Sequence, residues 1–215
     1  VIRSDLVSTN ALTASHDIKI NDVDIGASDS TTAAAKAIAI NAVSSSTNVT
    51  ASGNNLVTLD LNFSEASAAS SNISINGNAI NFSSVTNATE TITAINNASI
   101  GDIVASANSD GAVELASASG ADILIAHGGT AGVFFDGHID ATGATISVGS
   151  SVRFKGQILL THTAGDVIKI SGDDVGELGL QAQASSSAST PGSIISVSTS
   201  SNATSALTTI DTAID

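Results

Sequence analysis

"ISINGNAINFSSVTNATETITAINNASIGDIVASANSDGAVEL", residues 73–115, decides how this chain folds, because a looser copy of it stands 55 residues upstream. Ile18, Ile20, Asn21 and Ile25 correspond to Ile73, Ile75, Asn76 and Ile80, and the pair Ile40 and Asn41 corresponds to Ile95 and Asn96 at the same offset. Val49 falls on Val104 likewise, and after a one-residue slip Val57 and Leu59 meet Val113 and Leu115. What repeats is apolar spacing more than identity, which is the mark of an internal duplication.

Each copy has a readable local structure. "DIKIN" (17–21) and "NISIN" (72–76) alternate apolar and polar residues, as strands do, and run into Asn21-Asp22 or Asn76-Gly77, where Asn and Gly supply the positive φ of a tight hairpin turn. "DSTTAAAKAIAINAVS" (29–44) and "SSVTNATETITAINNAS" (83–99) then place Ser or Thr ahead of Ala-rich residues with apolar side chains at helical spacing. Two further strands follow, "NVTAS" and "NLVTLDL" in the first copy, "DIVASA" and "AVELAS" in the second, joined by Gly53-Asn54 or Asp110-Gly111 turns. The expected fold is therefore α+β: mainly antiparallel β with two short helices, near 32–43 and 86–97, in repeated strand-strand-helix-strand-strand units. Ile20, Ile25, Ile38 and Val57 are expected in one small core, and Ile75, Ile80, Ile92 and Val113 in the other.

A third stretch, "GQILLTHTAGDVIKISGDD" (156–174), resembles "GAVELASASGADILIAHG" (111–128), with Gly165 on Gly120 and Ile168 on Ile123, so it repeats the strands without a helix. Residues 182–193 hold the single proline in a Ser/Ala-rich connector. The segments expected are 1–13 leading in, 14–70 and 71–126 as the two repeated units, 127–181 as a hairpin region, 182–193 as connector and 194–215 beyond it.

Composition removes several functions. Six basic residues against twenty acidic ones give a net charge of −14, and there is no Tyr or Trp, so nucleic acid and anionic membrane are poor partners. The mean hydropathy of +0.31 nevertheless excludes a disordered acidic tail. The most apolar stretch, 33–43, is short and broken by Lys36 and Asn41, so no membrane span is expected. With no cysteine, disulfides and thiolate metal sites are absent together, a composition suited to export as an unfolded chain.

Candidate chemistry is sparse. His16, His127, His138 and His162 are scattered, and only "HGGTAGVFFDGHID" (127–140) brings two near Asp136 and Asp140; no metal spacing results, and a solvated loop is the expectation. No G-x-S-x-G elbow supports a hydrolase. "NDVDIGASD" and "SGDDVGE" lack the ligand order of a calcium loop. The Asn-x-Ser/Thr sequons at Asn48, Asn62, Asn72, Asn81, Asn87, Asn97 and Asn202 follow from composition. The chain is read as non-enzymatic, with no cofactor.

"ISVSTSSNATSALTTIDTAID" (195–215) gives a strand, an N-cap at Ser201 or Asn202, and Leu207, Ile210 and Ile214 on one helical face. This resembles the point where the variable outer region of a bacterial flagellin returns to the C-terminal helix of its coiled-coil rod. "IKINDVDI" with "AIAINAVS", and "ISINGNAI" with "TAINNAS", are similar to the Ile-Asn motif of outer domains in flagellins and hook-associated proteins. Ile20, Asn21, Ile40, Asn41, Ile75, Asn76, Ile95 and Asn96 carry it. The resemblance implies a structural, extracellular part of the flagellar filament that shapes its surface and supports motility. It implies neighbouring flagellin subunits as partners through rod helices that this chain lacks, and O-linked glycan on Ser or Thr. The isolated chain is expected to be monomeric or weakly associating. A second class fits the composition too: an adhesin-like module recognising glycan or a host surface.

Overall fold

Asn21 and Asp22 (φ 50° and 64°) and Asn76 and Gly77 (φ 48° and 79°) all sit in the left-handed region, so each Ile-Asn strand turns back on itself within two residues. In the first copy the turn joins β2 (Lys19–Ile20) to β3 (Val23–Asp24); in the second it joins β5 (Ile73–Ile75) to β6 (Asn78–Ile80). These belong to a computed structural model that describes residues 1–63, 73–82, 84–128, 146 and 149–182. Helix α1 (Ala33–Asn41) follows the first hairpin, capped by the Thr32 hydroxyl; a single turn, α2 (Ser44–Thr47), comes after it. Helix α3 (Ala88–Asn97) follows the second, capped by Asn87, with the Glu90 carboxylate reaching back to the Thr86 N–H at 2.6 Å.

The expected turn at Gly53-Asn54 does not form. One strand, β4 (Val49–Leu59), runs straight through it. Gly53 is needed there for close approach: a Cβ on it would stand 2.1 Å from the Ser119 carbonyl oxygen. Opposite it, Gly120 (φ 81°) lies so near that its own Cβ would meet the Gly53 Cα at 2.7 Å. Glycine marked a packing crossing here and a turn elsewhere.

Because β4 is continuous, it serves two cores. Its first half pairs antiparallel with β11 (Gln157–His162), from Val49 opposite His162 to Asn54 opposite Gln157. Its second half pairs with β8 (Val113–Ser117), from Asn55 opposite Ser117 to Leu59 opposite Val113. With β1 (Ile2–Leu6) and β7 (Ile103–Ala107) outside them, the five strands lie in the order β1-β11-β4-β8-β7. A three-stranded sheet, β12-β2-β3, and a four-stranded one, β10-β9-β5-β6, complete the architecture, with β9 at Ile123–His127, β10 at Ser150–Phe154 and β12 at Ile170–Ser171.

The duplication is nested. Ile20 pairs with Ile170 as Ile75 pairs with Ile125, so 156–174 is the second half of the first unit and not a third repeat. One buried cluster joins Val7, Ile18, Ile20 and Ile40 to Ile158, Leu160 and Ile170. The other joins Val57, Ile75, Ile95 and Leu115 to Ile123, Ile125 and Phe154, all drawn from inside the sequence span of the first. The chain leaves the outer unit after Asn54 and rejoins it at Gln157, two residues paired across the sheet. Ile2 sits opposite Leu160 as Val57 sits opposite Leu115, so β1 is the outer counterpart of the second half of β4 and residues 1–13 are part of the fold.

Three sequence expectations change. Ile38 is 67 % exposed, since Ile40 and Ala37 take the core face of α1. Val57 belongs to the inner core because its half of β4 does. Val49 matches Ile103 and not Val104: Val49 pairs with His162 and Ile103 with Ser117, both buried, whereas Val104 is 57 % exposed. Ile92 is half-buried against the inner core. Residues 183–215, with most of the connector, lie outside the described residues. Among the described residues no helix is long and apolar enough to cross a membrane.

Burial sets the expected costs. Ile75→Ala should lose about 2–5 kcal/mol of stability in urea unfolding, while Ile38→Ala should stay within about 0.5 kcal/mol of the parent. Equal costs at the two positions would contradict the placement of α1.

Candidate functional site

The Ile-Asn pairs share one division of labour. Each Ile is buried, Ile20 and Ile40 in the outer core, Ile75 and Ile95 in the inner one, and each Asn, one position on, points its carboxamide at backbone. At the end of α1, Asn41 Oδ1 accepts from the Ala51 N–H (2.7 Å) and its Nδ2 donates to the Ala51 carbonyl (2.8 Å). At the end of α3, Asn96 does the same to Ala105, at 2.8 and 2.9 Å. The carboxamide thus replaces a neighbouring strand residue, because it offers one donor and one acceptor at the spacing of a peptide group.

Asn21 and Asn76 act at the hairpin turns. The Asn21 N–H donates to the Lys169 carbonyl while its Oδ1 accepts from the Lys169 N–H, each at 2.8 Å. Asn76 holds Leu124 in the same two ways, at 2.8 and 2.7 Å. Their Nδ2 atoms differ, reaching the Thr47 carbonyl in one unit and the Asp122 carbonyl in the other. The eight motif residues therefore do not converge on a pocket. They are four staples, each tying a turn or a helix end to the backbone of a segment beside it: Ala51, Ala105, Lys169 and Leu124. Leu207, Ile210 and Ile214 lie outside the described residues.

Sequence reasoning missed a buried polar seam in the outer unit. Lys36 is fully buried, and its Nζ donates to the Glu177 carbonyl (2.6 Å), the Ser8 hydroxyl (3.0 Å) and the Ser8 carbonyl (3.3 Å). It ties the 3-10 turn Val175–Leu178 and the loop after β1 to helix α1. Burial pushes its amine down to about 8, against the pull of Glu177. The Ser8 hydroxyl, aided by Asn10 and the Lys36 charge, holds the Glu177 carboxyl below its ordinary range. The signal was visible: Lys36 interrupts an otherwise apolar helix.

The two units meet through a second polar group. Buried Asn55 donates to the carbonyls of Ala121 and Phe154, both at 2.9 Å, clamping the strand that enters the inner unit to the one that leaves it. Lys155 Nζ bridges Thr31 of the outer unit (2.8 Å) and Asp122 of the inner one (2.9 Å), and Arg153 adds a contact to Asp122 at 3.4 Å. Every strong donor here has its acceptor within the protein, which is the chemistry of a fastening.

No metal cluster forms among the described residues. His127 is buried in β9 and not in a solvated loop, because its strand lies between β10 and β5; His138 and Asp140 fall outside the described residues. His162 is also largely buried, its Nδ1 accepting from the Ala164 and Asp166 N–H groups at 3.2 Å. A cleft of about 650 Å³ opens between β6 and α3, lined by Ile80, Val85, Ala94 and the polar Asn81, Glu90 and Asn97. Glu90 is occupied with the Thr86 N–H and hydroxyl, which hold its carboxyl below the ordinary range. Neither a protein-family profile nor a curated protein matches this chain.

Two measurements probe the fastenings. Asn41→Ala and Asn96→Ala each strand a backbone donor and acceptor, and each should cost about 1–3 kcal/mol in urea unfolding. For Lys36 the sign follows from its depressed value: below about pH 8 the amine is charged in both states, and between about 8 and 10.5 the unfolded chain keeps a proton that the native state releases. Stability should therefore rise across that window, by up to about 3 kcal/mol, and Lys36→Met should abolish the rise.

Proposed function

We propose that this chain is a solvent-facing outer region of a bacterial flagellin, a structural element of the flagellar filament that sets its surface and takes part in motility. The observation that carries the reading is the Ile-Asn element, present twice with its carboxamides in the same two roles in each unit. Nesting supports it as well. The inner unit departs from and returns to adjacent points of the outer sheet, so surface bulk is added without interrupting the core beneath.

The role is mechanical and interfacial, with no reaction to perform. A net charge of −14 coats the surface with like charge, which keeps neighbouring outer regions apart while rod helices elsewhere in such a subunit supply the cohesion. Ser and Thr are abundant on exposed loops and would accept O-linked glycan.

Shearing filaments from the source cells and identifying their peptides tests this. Peptides of this chain should dominate the sheared fraction, and antibody against it should decorate filaments along their length. Recovery in the cell envelope instead, with sheared filaments unlabelled, would favour the adhesin-like module and sink the filament reading.

A further inference from the structure

Edge strands are where antiparallel sheets recruit other chains, and the two Asn41-type staples guard edges of very different strength. In an antiparallel ladder alternate residues direct their N–H and C=O to opposite sides. The side of β4 that faces β8 is bonded or covered along its length, with Gly53 lying under Ser119 and Gly120. Val49 N–H is accepted by the Thr47 hydroxyl (3.1 Å), Ala51 is held by Asn41, and Asn55–Leu59 pair with β8. On β7 the matching side looks outward from the sheet. Ile103 N–H donates to the Ile100 carbonyl (2.9 Å), Ala105 is held by Asn96, and Ala107 shows no bond on that side among the described residues.

We propose that Asn96 is an edge guard, and that the outer side of β7 is a latent pairing surface for β7 of a second copy of this chain. The strand is suited to pair with itself. Residues 103–107 read Ile-Val-Ala-Ser-Ala and carry no charge, on a chain of net charge −14, so this is an edge where two copies meet without like-charge repulsion. Two-fold antiparallel pairing centred on Ala105 sets Ile103 opposite Ala107, Val104 opposite Ser106 and Asp102 opposite Asn108, and no two carboxylates face. The central pair would exchange two backbone hydrogen bonds, through the N–H and C=O that the Asn96 carboxamide occupies. While that side chain is seated, the centre of the interface is already filled.

Asn41 gives an internal comparison. Opening it exposes only Ala51, between the Thr47 hydroxyl and a Gly53 that Ser119 and Gly120 cover, so no accessible run of backbone appears.

The experiment is sedimentation equilibrium of the full 215-residue chain at micromolar concentration and moderate salt. Wild type and Asn41→Ala should sediment as monomers. Asn96→Ala, and Asn96→Gln, whose extra methylene moves the carboxamide off register, should double the weight-average mass. Adding Ala107→Pro to Asn96→Ala should restore the monomer, because proline is tolerated on the outward N–H side of an edge strand and blocks pairing there. Folding is checked by circular dichroism in each case. Folded but monomeric Asn96 variants would overturn the proposal, and so would association that Ala107→Pro leaves unchanged. Loss of fold in both Asn96 variants would overturn it too, since Asn96 would then be a determinant of the core and not a guard of its edge.

Discussion

The structure depends on β4 staying unbroken. Its burial alternates along all eleven residues, but the residues before Gly53 face one core and those after Asn54 face another. Cutting the strand at the glycine would leave the five-stranded sheet in two frayed halves and two hydrophobic clusters without a common wall. Gly53 permits continuity because Ser119 and Gly120 come down onto its bare Cα, and Asn55 then fixes the crossing with one bond to Ala121 and one to the returning chain at Phe154.

Around that strand the protein uses asparagine where a larger fold would use another strand. A carboxamide offers both halves of a peptide group on a short stem, which Asp cannot match for want of a donor. Placing it next to a buried isoleucine fixes its direction: the Ile side chain is pinned in the core, and the next residue along the helix is turned toward the sheet edge. The motif is therefore a local device with a long-range product.

Much of this was legible in the chain. Asn21-Asp22 and Asn76-Gly77 read directly as turns, because left-handed backbone has few sources. The helix at Ala33–Asn41 was marked by its Thr32 cap and Ala content; the one at Ala88–Asn97 was marked by its apolar spacing, its cap being Asn87 and not the Ser or Thr expected. Nesting was not legible, although the likeness of 156–174 to 111–128 was, since only pairing across the sheet shows which helix the later strands cover. Ile38 misled for a related reason. Ile38 and Ile40 are both apolar, and in so Ala-rich a helix the pattern alone does not say which one faces inward. The roles of Asn41 and Asn96 were likewise invisible until their partners Ala51 and Ala105 were placed beside them.

Nesting also orders the events by which such a chain reaches its native state. Pairing Asn54 with Gln157 in an unfolded polypeptide closes a loop of roughly one hundred residues, at an entropic cost on the order of 4 kcal/mol. If the inner unit forms first, its own clamp through Asn55 and Phe154 has already brought the two ends together, and most of that cost has been met by local contacts. The inner unit then acts as a scaffold for its host, so the last part of the outer sheet to arrive waits on the one enclosed within it.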